Sequence, residues 1–133
     1  MDGGLTTLEA RELVPFRALA GMGIASLMTA HILLPGVVAD LGGVAAEAAL
    51  PATLNPLILQ GLLRRRLGFQ GLIISDCLTM QAIANHFPDA AVQALAAGVD
   101  LLCISHGPDR QAEACERIES AIRHGRLDES RLD

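Results

Sequence analysis

The stretch Gly71-Leu72-Ile73-Ile74-Ser75-Asp76 decides how this chain is read. It is a short apolar run, opened by Gly68-Phe69-Gln70-Gly71, that ends abruptly in a carboxylate. A run of this length and composition predicts a strand buried on both faces. In a sheet of parallel strands the carboxyl ends face the ligand, which places Asp76 at the mouth of a pocket. An acid there can serve as nucleophile or base. The alternative is structural: an Asp after a strand can cap the next helix by accepting from the backbone near Thr79 or Met80. Ser75 could take that cap instead and leave the Asp free.

The alternation extends in both directions from this strand. Upstream, Thr6 and Thr7 offer an N-cap, Glu9 lies in the first turn, and apolar residues over 8–20 keep helical spacing up to Gly21 and Gly23. Pro15 predicts a kink there or a break into two pieces. Residues 24–30 read as a first strand ending at His31, followed by a long loop over 32–54 with a short helix at 44–50. Asn55 and Pro56 start a helix running to about Leu67 and stopped by Gly68. Beyond Asp76, residues 78–86 and 89–97 predict two helices, the second stopped by Gly98. A third strand spans 100–105 and a last helix 109–123. The tail 127–133 has the composition of the start of one more helix. Helix and strand alternating at this spacing imply an α/β fold of parallel strands joined by crossovers. Three such strands leave apolar edges uncovered, so the pattern is that of one part of a larger sheet.

Composition narrows the function. Of 133 residues 51% are hydrophobic, with three Phe and no Trp or Tyr, so the core is aliphatic. The formal net charge is −5 and the basic residues are all Arg. That balance, with so few aromatics, argues against nucleic-acid binding; Arg64-Arg65-Arg66 reads as cations at a helix C-terminus. Cys77, Cys103 and Cys115 are odd in number and unpaired by spacing, which fits a reducing compartment. No secretory signal opens the chain, and no apolar stretch reaches the ~18 residues of a membrane span. Cytoplasmic location and no membrane association are the expectations.

Apart from Asp76, the residues placed to do chemistry are imidazoles. His31 ends the first strand at the same edge of the sheet, where it either hydrogen-bonds a ligand or is satisfied by nearby backbone. His106 holds the equivalent place after the third strand and carries the same two readings. His86 and His124 read as helix-end residues. No metal is expected, because no His-x-x-x-His or Cys-x-x-Cys pair occurs. Walker, Gly-x-Gly-x-x-Gly and Gly-x-Ser-x-Gly motifs are absent too.

Several segments together resemble family 3 glycoside hydrolases, and most of all their bacterial β-N-acetylglucosaminidase branch. They are Met28-Thr29-Ala30-His31, Pro51-Ala52-Thr53-Leu54, Leu63-Arg64, Leu67-Gly68-Phe69-Gln70-Gly71 and Ser75-Asp76-Cys77-Leu78-Thr79-Met80-Gln81-Ala82-Ile83. Leu13-Val14-Pro15-Phe16-Arg17 and Ala96-Ala97-Gly98-Val99-Asp100 fit the same pattern. The resemblance implies that residues 1–133 are the C-terminal part of a (β/α)8 TIM-barrel catalytic domain, its last three β/α units. It also implies that Asp76 is the catalytic nucleophile of a retaining β-N-acetylhexosaminidase and that His31 lines the sugar pocket. The implied substrate is a terminal β-linked N-acetylglucosamine of peptidoglycan-recycling saccharides, cleaved without cofactor.

Two departures stand out. The Lys-His-containing sugar loop and the Asp–His acid/base pair of this branch have no counterpart here, and Cys77 occupies a place where Asp or Ala is usual. Without general-acid assistance the isolated chain would lose about 10²–10⁴-fold in rate. The alternatives are a non-catalytic half-barrel remnant that self-associates, or one half of a split enzyme that docks to an N-terminal partner chain.

Overall fold

The computed structural model describes residues 4–132. Two helices lead in, α1 (Leu5–Ala10) and α2 (Leu13–Gly21). The break before Pro15 follows from its missing N–H: placed in the first turn of α2, Pro15 costs no helical hydrogen bond. Thr6 and Thr7 are not the cap. The helix already starts at Leu5, with Gly4 before it, and the Leu5 N–H is taken by Asp40 Oδ2 at 2.7 Å. Leu5 and Leu8 turn inward.

Strand β1 (Ser26–Met28) pairs in parallel with β2 (Leu72–Ile74), with Leu27 opposite Ile73. Both strands are shorter than their apolar runs. Between them lie α3 (Pro35–Asp40), α4 (Ala45–Ala48), a 3₁₀ turn (Ala52–Leu54) and a helix over Leu57–Arg66. The expected loop over 32–54 is thus mostly helical. Val37 and Val38 of α3 enter the core, which rewards local order in a segment with no sequence cap. Asn55 does cap the next helix, its Oδ1 accepting from Leu57 N (3.0 Å) and Ile58 N (3.4 Å). That helix is π-type, and its bonding ends with Leu67 N donating to Leu62 O at 2.9 Å. Its buried face is Ile58, Leu59, Leu62 and Leu63.

After β2 come α5 (Gln81–Ala84), α6 (Ala90–Ala97), α7 (Pro108–Arg123) and a 3₁₀ turn (Glu129–Arg131) capped by Asp128. The helix expected over 78–86 shrinks to one turn. The third strand expected over 100–105 is reduced to a single bridge, Leu101 to Ile74. The cause lies in the rungs of the ladder. Ser75 N donates to Leu101 O (2.9 Å), but the next rung is made by a side chain: Cys103 N donates to Ser75 Oγ at 2.8 Å. The third segment runs alongside β2 without continuing its backbone ladder.

One polar clamp sets this register. Asp100 Oδ2 accepts from Ile73 N (2.8 Å) and from Arg64 Nη2 (2.6 Å). Arg64 Nη1 donates to the carbonyls of Phe69 and Gly71, and the guanidinium lies 5.4 Å from the Phe69 ring centroid. Arg64 is therefore an internal tie, not a mere helix-end cation as its sequence context implied. Arg66 instead pairs with Glu9 at 2.6 Å. Two glycines fit the same region. A Cβ on Gly71 would sit 2.5 Å from Ala25 O and 2.7 Å from Ile24 O. Gly98 ends α6 at φ +117°, a conformation that favours glycine.

Ile73 is fully buried, and it packs with Leu59, Phe69, Ile83, Val99 and Ala94 under the helices. The opposite face of the sheet is open: Met28, Leu72 and Leu101 are more than half exposed (57%, 54% and 53%). Among the described residues no helix is long and apolar enough to cross a membrane.

Removing the clamp should be costly. Arg64→Ala strips donors from two carbonyls and from Asp100, so urea unfolding should show a loss of roughly 1.5–3 kcal/mol, the range for hydrogen bonds to charged groups. Arg64→Lys should restore only part of it, because an ammonium cannot reproduce the planar fork.

Candidate active site

Asp76 lies two residues beyond β2 and His31 three residues beyond β1, so the sheet brings both to its carboxyl edge. Asp76 is half-buried, and its Oδ1 accepts from the next backbone amide, Cys77 N, at 2.7 Å. Neither proposed cap forms. α5 begins after Met80 with no side-chain cap, and Ser75 Oγ is committed to the third segment. Asp76 is thus not spent on a helix terminus, and Oδ1 carries the one hydrogen bond the described residues give its carboxylate.

His31 is tied to the protein at both nitrogens. Nε2 lies 3.0 Å from Cys77 O and Nδ1 lies 3.0 Å from Thr53 Oγ1. A carbonyl only accepts, so Nε2 bears a proton. Thr53 is fully buried, and its hydroxyl also lies 2.8 Å from Thr29 Oγ1 and 3.1 Å from Ala30 O. Two proton arrangements satisfy this chain. With a neutral ring, Thr29 donates to Thr53 and Thr53 to Nδ1. With a charged ring, Nδ1 donates to Thr53 and Thr53 to Ala30 O. In both, Nε2–H donates to Cys77 O.

His106 makes no hydrogen bond to Asp76 among the described residues, and its Nδ1 lies 3.4 Å from Thr79 Oγ1. The Cys77 thiol sits between Ser105 Oγ (2.7 Å) and Thr79 Oγ1 (3.0 Å). Burial pushes this thiol up, but the hydroxyl and backbone donors of Ser105 and Thr79 more than offset it, lowering its pKa from 9.0 to about 6. His86 is exposed, and His124 Nδ1 meets Ser120 O at 2.7 Å at the end of α7. A cavity of about 170 Å³, lined in part by Leu78, Thr79, Phe87, Ile104 and Arg117, opens beside Thr79 but includes neither Asp76 nor His31. Among the described residues no group of three or more His, Cys, Asp or Glu could hold a metal ion.

The sequence alone assigns no side-chain role to Thr53, Thr79 or Ser105, although Thr53 and Thr79 fall in segments that carry the resemblance. One weak signal existed: Thr29 and Thr53 are hydroxyls in otherwise apolar stretches, which is where buried polar groups need partners.

The thiol gives a direct test. Its ultraviolet thiolate band should titrate near pH 6 in the folded chain, and Ser105→Ala or Thr79→Val should move it up toward 9.0. Because the folded value is depressed, the thiolate's contribution to stability is full above the unfolded value of about 9. It is lost as pH falls through about 6.

Comparison with known proteins places these residues in a family. Residues 1–133 match the sequence model described as the glycosyl hydrolase family 3 N terminal domain. A β-hexosaminidase of Nitrosomonas eutropha is 34% identical over 131 residues, covering 95% of this chain and 35% of that protein. A β-N-acetylglucosaminidase/β-glucosidase of Cellulomonas fimi is 36% identical over 123 residues, 90% of this chain and 21% of that one. The solved glycoside hydrolase family 3 β-N-acetylglucosaminidase from Paenibacillus sp. str. FPU-7 superposes with a TM-score of 0.88 at 38% identity. That match covers 98% of this chain and 24% of the other. The chain thus spans about a third or less of the length of these relatives. Its parallel strands, flanking helices and shared segments agree with those structures, and the chain belongs to glycosyl hydrolase family 3, within the TIM-barrel-like α/β N-terminal domain of that family.

Proposed function

We propose that the chain is the nucleophile-bearing part of a retaining β-N-acetylhexosaminidase, formed by the last three β/α units of the barrel. The observation that carries this reading is the placement of Asp76. It stands just past the carboxyl end of β2, with Oδ1 held by Cys77 N–H and Oδ2 without a hydrogen bond from the described residues. The relatives named β-hexosaminidase and β-N-acetylglucosaminidase support an N-acetylglucosamine sugar, which this reading takes as the terminal β-linked residue of saccharides in cytoplasmic peptidoglycan recycling.

In this reading Oδ2 attacks the anomeric carbon, the glycosidic C–O bond breaks and a glycosyl ester forms. Water then attacks that ester and returns the carboxylate. The leaving oxygen needs a proton, and its donor lies outside this chain. His31 borders the sugar with its ring edge, since Thr53 and Cys77 engage its nitrogens. No organic cofactor or metal enters these steps.

A second reading concerns assembly. Met28, Leu72 and Leu101 leave an apolar sheet face open, and among the described residues β1 pairs on one side only. Such a surface favours pairing with further strands. An N-terminal partner chain carrying the acid/base would complete the barrel; self-association without catalysis is the competing outcome.

Mixing the chain with the N-terminal remainder of the Nitrosomonas relative, then adding a slow fluoroglycoside of N-acetylglucosamine, tests both readings. Mass spectrometry should find the sugar ester on Asp76, and Asp76→Asn should lose on the order of 10³-fold or more in turnover of an activated substrate. Turnover unaffected by Asp76→Asn would sink the nucleophile assignment. A complex that forms but never turns over would favour the non-catalytic remnant.

A further inference from the structure

We infer that His31, aimed by Thr53, is a positioning residue for Asp76: it fixes the backbone that holds the carboxylate. The inference deepens the reading of Asp76 as nucleophile and rests on it for its functional meaning. Cys77 is pinned at both ends. Its N–H donates to Asp76 Oδ1 at 2.7 Å, and its carbonyl accepts from His31 Nε2 at 3.0 Å. The peptide joining Cys77 to Leu78 is spanned across the sheet edge, because Leu78 N donates to Cys103 O at 2.9 Å. His31 pulls this peptide from the β1 side and Cys103 from the other.

The orientation of the ring is itself enforced. Thr53 is fully buried and is held by contacts with Thr29 and with the Ala30 carbonyl. Its hydroxyl therefore meets Nδ1 from a fixed point, which turns Nε2 toward Cys77. Both proton arrangements of the threonine chain keep Nε2–H on Cys77 O, so the tie survives protonation of the ring. If the carbonyl were released, Cys77 could turn about its Cα bonds and swing its N–H off Oδ1. Both carboxylate oxygens would then be loose, and the attacking oxygen would no longer be defined.

The side-chain geometry suggests two informative replacements. A glutamine amide nitrogen can occupy the place of Nε2, whereas an asparagine amide reaches only as far as Nδ1. In the 133-residue chain, amide exchange at Cys77 should rise about tenfold in His31→Asn, the factor expected for one lost hydrogen bond. In His31→Gln it should stay within about twofold of the parent. An Asn variant that stays folded with an unchanged Cys77 amide would overturn the inference. If that variant fails to fold, the ring nitrogens of the parent chain decide. A proton on Nε2 with hydrogen-bond coupling to Cys77 C=O supports the tie, and an unprotonated Nε2 refutes it. Neither readout involves a sugar, so failure of the glycosidase reading and failure of this inference are separate results.

Discussion

The tie between Arg64 and Asp100 is the contact on which the rest of the arrangement depends. Three parts of the chain meet there: the π-type helix through Arg64, β2 through Ile73 N–H, and the third segment through Asp100. Arg64 also gathers the Phe69 and Gly71 carbonyls, so the turn into β2 is fixed before the strand begins. Both charged side chains are largely covered (21% and 26% exposed), which removes solvent competition and strengthens each bond. The same burial makes loss of either partner expensive, because the other is left charged and poorly solvated. Arg131 adds a second cation 3.7 Å from Asp100 and ties the last turn to the same point.

Register set at one end of β2 decides what is presented at the other. With Ile73 buried and paired to Leu27, Ser75 turns to the third segment and Asp76 falls at the open edge. From there the contacts are polar and local. Ser75 Oγ holds Cys103 N, Cys103 O holds Leu78 N, and His31 holds Cys77 O. The loop carrying Asp76 is therefore anchored from both neighbouring segments, which is how a carboxylate is kept still without being neutralised by a cation. Cys77, next in the chain, carries a thiol that burial pushes up but that the hydroxyl and backbone donors of Ser105 and Thr79 lower to about 6. Hydroxyl donors from Thr79 and Ser105 stabilise the thiolate without contributing positive charge.

The β2 strand and Asp76 were legible because an apolar run interrupted by a carboxylate has few structural readings. Asn55 as a cap and the break near Pro15 were legible for equally local reasons. What escaped was anything decided at long range. Arg64 sits in a run of three arginines, which disguises the fact that its partner is 36 residues away. The third strand was overdrawn because its apolar residues say nothing about Ser75 replacing a backbone rung. α3 was missed because residues 32–54 read as a long loop, whereas burial of Val37 and Val38 orders the segment. The Thr53–His31 contact joins residues 22 apart and has no periodic or motif signal.

The clamp at the start of β2 governs the order of the Asp76 loop at its end. Residue-resolved hydrogen–deuterium exchange on Asp100→Ala, well below its melting temperature, tests that claim directly. The amides of Ile73, Ser75, Leu78 and Cys103 should lose protection together, while those of α7 keep theirs. Exchange that quickens at Ile73 alone, with Ser75, Leu78 and Cys103 unchanged, would contradict it.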